Sequence, residues 1–189
     1  MDDDELFDLL TDVEESVAPD AKAARFESEA AALERGEFGR ASLLIAAGEH
    51  WQMRGEYDDA RRCFEAARAD GGEAASDPVS NLLSLALEEA DEDAVAAYDS
   101  ELRQMARADA VSRTTCHLTG ESYEIRGRLF PALRWFSIPF THADPDADDP
   151  VDELLLLARR RVRDALGMAP DRLDELVAAS WEAWQRAGS

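Results

Sequence analysis

Lysine is almost missing from this chain: Lys22 is the only one, and every other basic residue is an arginine. Basic residues are scarce altogether, 20 against 42 acidic ones, for a net charge of −22. Such an excess repels phosphate backbones and anionic headgroups, so neither nucleic acid nor a membrane surface is expected as a partner. Long hydrophobic runs are lacking too. Leu43 to Ala47 and Leu154 to Ala158 are the longest apolar stretches, far short of the ~20 residues that cross a bilayer. The start, Met1-Asp2-Asp3-Asp4-Glu5, is the opposite of a signal peptide's basic region, and the expected location is the cytoplasm.

Cysteine is limited to Cys63 and Cys116, which form neither a disulfide framework nor a C-x-x-C pair; both read as small core fillers. Catalytic motifs are absent as well. There is no G-x-x-x-x-G-K-[ST], no G-x-G-x-x-G and no Ser/His/Asp or Cys/His set, since Cys116 and His117 are neighbours that point along different helical directions. No cofactor is expected, and the chain is not expected to be an enzyme. Alanine, aspartate and arginine in place of lysine suit a GC-rich genome or a high-salt cytoplasm, so the acidity reflects either solubility or a basic partner.

A 46% hydrophobic content is ample for a packed core in 189 residues. No stretch shows the period-two alternation of a strand, whereas apolar residues recur at spacings of three and four, so the whole chain reads as helical. Leu6, Leu9, Leu10, Val13 and Val17 make the first stripe, ended by Pro19. Helices then follow over about 21–35, 39–54, 57–69, 77–89, 93–108, 110–126 and 130–138. Arg35-Gly36-Glu37-Phe38 and Arg54-Gly55-Glu56-Tyr57 are near-identical stops in which glycine supplies the left-handed residue. Asp77-Pro78 opens a helix with an N-cap and a first-turn proline. Thr141 to Pro150 is an acidic loop, and two final helices run over about 151–167 and 171–187, the second capped by Asp171.

One tract recurs. Gly48, Trp51, Gly55, Tyr57, Ala60, Phe64 and Ala67 are echoed by Gly120, Tyr123, Gly127, Leu129, Ala132 and Phe136, while Ala60 and Phe64 have counterparts 34 residues on at Ala94 and Tyr98. In this pattern the chain resembles the tetratricopeptide-repeat family, whose period is 34. The likeness is best over 41–74, weak over 75–108 and moderate over 113–146. It departs where Leu82 and Leu85 replace a glycine and an aromatic, and where Pro139 replaces a small residue. The layout is also similar to that of uncharacterised actinobacterial helical-repeat proteins, without the cysteine-rich zinc motif that some of them carry.

The resemblance implies an all-α, right-handed stack of antiparallel helical hairpins, an α-solenoid of about ten helices. It would be a single domain over 1–189, with flanking helices over 1–37, hairpins over 38–140, the acidic loop over 141–150 and capping helices over 151–189. It further implies a noncatalytic interaction or adaptor protein whose first helices line a concave groove. Carried over position by position, that groove holds Ile45, Glu49, Gln52 and Met53, then Val79, Leu83 and Leu87, then His117, Glu121 and Glu124. Relatives that clamp a terminal carboxylate use basic and asparagine side chains where this chain has Ile45 and Glu49. The expected partner is therefore another protein with a basic or amphipathic segment.

His117, Glu121 and Glu124 share a helical face and could ligate a divalent cation, which makes a metal-dependent enzyme or sensor one alternative. Asp144, Asp146 and Asp148 begin like a calcium loop, but Asp149 stands at the turn glycine and Leu155 at the bidentate glutamate. Arg159, Arg160, Arg161 and Arg163 are expected to pair with the acidic loop beside them. Leu173, Leu176, Val177, Trp181 and Trp184 form a last apolar stripe, which either caps the final hairpin or, through Trp181 and Trp184, docks a second copy to make a homodimer.

Overall fold

The computed structural model describes residues 1–141 and 152–187, and among these the chain is helical throughout, without strands. By packing it divides into two compact units, Met1–Ser112 and Arg113–Ser189. No helix among the described residues is long and apolar enough to cross a membrane.

The first unit contains α1 (Asp3–Ser16), α2 (Lys22–Ala31), α3 (Arg40–Met53), α4 (Tyr57–Asp70), α5 (Pro78–Glu89) and α6 (Glu92–Arg107). Local chemistry sets the ends. Asp2 and Glu5 form a reciprocal capping box at α1, and the Asp77 and Asp91 carboxylates accept from Val79 N and Ala94 N to open α5 and α6. Gly36 and Gly55 both sit in the left-handed region, at φ +78° and +76°, but of the two expected stops only Gly55 follows directly on a helix end. The helix α2 stops at Ala31, four residues before the expected Arg35. Tertiary bonds draw the intervening segment away, since the Arg35 guanidinium donates to Ala69 O and the Gly36 N–H donates to Asp70 Oδ1 at 3.1 Å.

Consecutive helices from α2 to α6 pack on one another. Val13, Phe26, Ala30, Leu43 and Ile45 form one buried cluster with Cys63 and Ala67. Ala60, Phe64, Leu82 and Leu85 form a second, against which Trp51, Tyr57 and Tyr98 pack. A fully buried phenylalanine such as Phe26 or Phe64 contributes about 2–3 kcal/mol. Where Gly48 admits the Phe64 ring, Leu82 stands in the next hairpin, and Tyr98 stays only half-buried.

Side-chain hydrogen bonds join each hairpin to the one before it. Glu27 on α2 takes Arg62 of α4 at 2.8 and 3.0 Å, and Arg68 of α4 takes Glu101 of α6 at 2.7 and 3.0 Å. His50 of α3 lies 2.6 Å from Glu14 of α1 and stacks on Phe26. The sequence separations of these three links are 35, 33 and 36.

The second unit contains α7 (Arg113–Ile125), α8 (Leu129–Ser137) with a 3-10 turn at Ile138–Phe140, α9 (Glu153–Ala165), α10 (Arg172–Leu176) and α11 (Ala178–Ala187). The last expected helix is thus two, parted at Val177, whose buried side chain joins the core with Trp181. Gly120 meets Phe136 as Gly48 meets Phe64, and Trp135, Leu155, Leu156 and Val162 are buried around them. The acidic loop with which the arginine cluster is expected to pair lies, from residue 142 on, outside the described residues. Arg159 and Arg163 are buried and bind Asp174, itself 3% exposed, at 2.9 and 2.8 Å, and Arg159 also reaches Asp171 at 3.0 Å. The Asp171-Asp174 capping box that opens α10 therefore holds α9 as well.

Candidate functional site

The expected groove residues fall in both units, and each set stands on its own helix. On α3, Ile45 is buried, Glu49 is exposed, Gln52 is half-buried and Met53 is 70% exposed. On α5, Val79, Leu83 and Leu87 are all buried, so the apolar middle expected of the groove belongs to the core. What α5 turns toward α3 is a different stripe. Asn81 Nδ2 donates to Glu49 Oε1 at 3.1 Å, and Gln52 Nε2 donates to Glu88 Oε2 at 3.0 Å and to Ser84 Oγ at 3.4 Å.

Asn81, Ser84 and Glu88 lie at spacings of three and four, a polar stripe on a helix otherwise rich in leucine. Its signal in the sequence was that periodicity, masked because the repeat alignment pointed to Val79, Leu83 and Leu87. Asn81 is 7% exposed, and its Oδ1 has no hydrogen-bond partner.

Charge compensation separates Glu49 from the acids around it. The Lys22 ammonium, and then His50, hold Glu14 below the ordinary carboxylate range, and the Arg62 guanidinium does the same for Glu27. Glu89 is engaged by Arg61 and Glu101 by Arg68. Glu49 forms no ion pair among the described residues; desolvation raises its carboxyl above the usual range, and the Asn81 amide opposes that shift only in part.

In the second unit, His117 Nε2 is 3.5 Å from Glu121 Oε1, and its ring meets the edge of Phe136. Glu124 is turned to Arg161, whose Nε and Nη2 both reach it at 2.7 Å, so this carboxylate answers a guanidinium of α9. The three residues of the metal alternative are thus not brought together as one donor set, and no cluster of three or more metal-ligating side chains occurs among the described residues. Asp144, Asp146 and Asp148 lie outside the described residues.

On α11, Trp181 is buried beneath the Arg160 guanidinium, while Trp184 stacks on it with ring centroids 4.8 Å apart and remains 50% exposed. Both cysteines are buried, and desolvation pushes the Cys63 thiol up to about 12 and that of Cys116 to about 11, which leaves them unreactive at neutral pH. Compared with known proteins, the chain matches no family model, no curated protein and no solved structure.

Proposed function

We propose that this chain is a noncatalytic interaction protein that receives a basic or amphipathic segment of another protein against α3 and α5. Its hairpins would form a right-handed, tetratricopeptide-like stack. The repeated Gly/Phe pairs and the hydrogen bonds that link one hairpin to the next support that architecture. The observation that carries the functional reading is the exposed, uncompensated Glu49 carboxylate on α3, tied to α5 by Asn81. A desolvated acid without an internal base gains most from a cation supplied from outside.

The reading is tested by adding a basic amphipathic peptide to the full chain in 0.15 M salt and mapping amide hydrogen exchange. Protection gathered on α3 and α5 is expected. Protection spread over the whole acidic surface, or none, overturns it.

A second reading, self-association through the C-terminal tryptophans, is favoured by one fact, the half-exposed Trp184 with Leu176 at 44% exposure on the neighbouring α10. Light scattering at high concentration decides it, and a monomer there removes this reading.

A further inference from the structure

The helix α1 lies along α3, with Met1 and Leu6 against Gly39 at the start of α3 and Glu14 beside His50 near its end. It is held there lightly. Val13 is the one fully buried side chain of α1, while Leu6, Leu9, Leu10 and Val17 are half-buried against the cluster that holds Phe26, Leu43 and Ile45. Among the described residues, the polar hold of α1 on the rest of the unit is Glu14. Its carboxylate takes His50 at 2.6 Å and the Lys22 ammonium, and the same ammonium donates to Glu14 O at 2.6 Å, near the C-terminal end of the helix.

Charge works against this packing. Residues 2–15 carry eight acids and no base, and residues 16–112, the body on which they dock, carry 21 acids against 10 bases. How far that repulsion reaches depends on salt. At 0.01 M the Debye length is about 30 Å, longer than the ~21 Å of a helix the length of α1, so each of its acids feels the whole body. At about 0.15 M the reach is about 8 Å, and only near neighbours count. The opposing attraction is short and sheltered: Lys22 is 12% exposed and touches Glu14 directly, so salt weakens this pair less than it weakens the repulsion. Salt on balance favours docking.

We infer that α1 is a cover whose closure is set by ionic strength, docked on α2 and α3 at physiological salt and lifted at low salt while the rest of the first unit stays folded. The connection over residues 17–21 is the hinge. Lifting uncovers His50 and the side of the buried cluster on which Val13 rests. An end helix with few buried side chains is the kind of element that opens apart from its domain.

The test follows amide exchange of Leu9, Leu10 and Val13 in the full chain at pH 7, in 0.01, 0.15 and 1 M sodium chloride, with α4 as internal reference. Protection of α1 is expected to rise about tenfold between the first two concentrations, with α4 nearly constant. The combined variant Asp4→Asn, Asp8→Asn and Glu15→Gln, at exposed acids of α1, should stay closed at 0.01 M and flatten the response. Asp164→Asn, Glu175→Gln and Glu182→Gln together, at exposed acids of the second unit, should leave the response as in the parent. Lys22→Gln should loosen α1 about threefold at 0.15 M without loosening α4.

Protection of α1 that ignores salt overturns the inference, as does loss of α1 and α4 protection in parallel, which would be unfolding of the whole unit. A response that begins only near 1 M and survives the α1 variant also overturns it, because that is the general strengthening of apolar burial by salt.

Discussion

Gly48 and Phe64 meet so closely that a methyl group on Gly48 would lie 2.4 Å from a ring carbon, and Gly120 meets Phe136 at the same distance in the other unit. Carbon atoms do not approach that closely, so glycine is what lets α3 lie flat on α4, and α7 on α8.

Replacing Gly48 or Gly120 by alanine should therefore destabilise the protein, although alanine is the better helix former by about 1 kcal/mol. The ring in each case is fully buried and has nowhere to retreat. A net loss of about 1–3 kcal/mol is expected in denaturant titration. An unchanged or raised midpoint would show that the helices can separate freely.

Asp70 is the hub at the end of α4. It is 7% exposed, binds the Arg40 guanidinium, and accepts from Gly36 N at 3.1 Å and Gly72 N at 3.2 Å. Burial pushes its carboxyl upward, but the bonds from Gly36, Arg40 and Gly72 prevail and hold it below the ordinary range. Asp70→Ala strands all three donors and should cost about 3 kcal/mol. Asp70→Asn, which keeps an acceptor, should cost less.

Acid should loosen the second unit through Asp171. Its bond from Arg159, opposed by burial and aided by the Asp174 N–H, lowers its carboxyl to about 2. Because the folded value lies below the unfolded one, near 3.9, this stabilisation is complete above about pH 4 and disappears as pH falls toward 2. The side chain is 38% exposed, so screening reduces the contribution to about 1 kcal/mol. Amide exchange in α9 and α10 should quicken over that range, and Asp171→Asn should remove this part of the pH dependence.

Glu49 has the opposite sign. Desolvation raises its folded pKa, so its stabilising effect is present below the ordinary carboxylate range and is lost as pH rises through the raised value. Ionising this side chain therefore opposes folding. Glu49→Gln should raise Tm slightly, by about 1–2 °C, while weakening peptide binding. A fall in Tm would mean that the carboxylate is structural.

The helices were legible wherever local chemistry sets their ends. Asp77-Pro78, Gly55 and Gly127 act through their own backbone preferences, which a reader of the sequence can apply without knowing what lies nearby. Ala31 was not legible as an end, because α2 yields there to bonds from Arg35 and Gly36 to residues 34 positions away. The burial of Arg159 and Arg163 was not legible for a similar reason. Nothing local distinguishes a buried arginine from a solvated one, and their burial depends on Asp174 arriving from the next helix. On α3 the repeat pattern marks Glu49 and Gln52, which stand beside α5. Asn81, Ser84 and Glu88 were missed because repeat alignment gives a helix's position but not the few degrees of rotation that decide which stripe meets its neighbour.

The hydrogen bonds that run one hairpin back along the chain bear on kinetics. Because Glu27 finds Arg62, and Arg68 finds Glu101, each within about three dozen residues, the entropy of closing each loop is nearly the same from one hairpin to the next. Links of near-constant separation keep that cost from growing along the chain, so each hairpin can dock on the one before it as it forms. An early hairpin emerging from the ribosome already holds the partners that the next one will need.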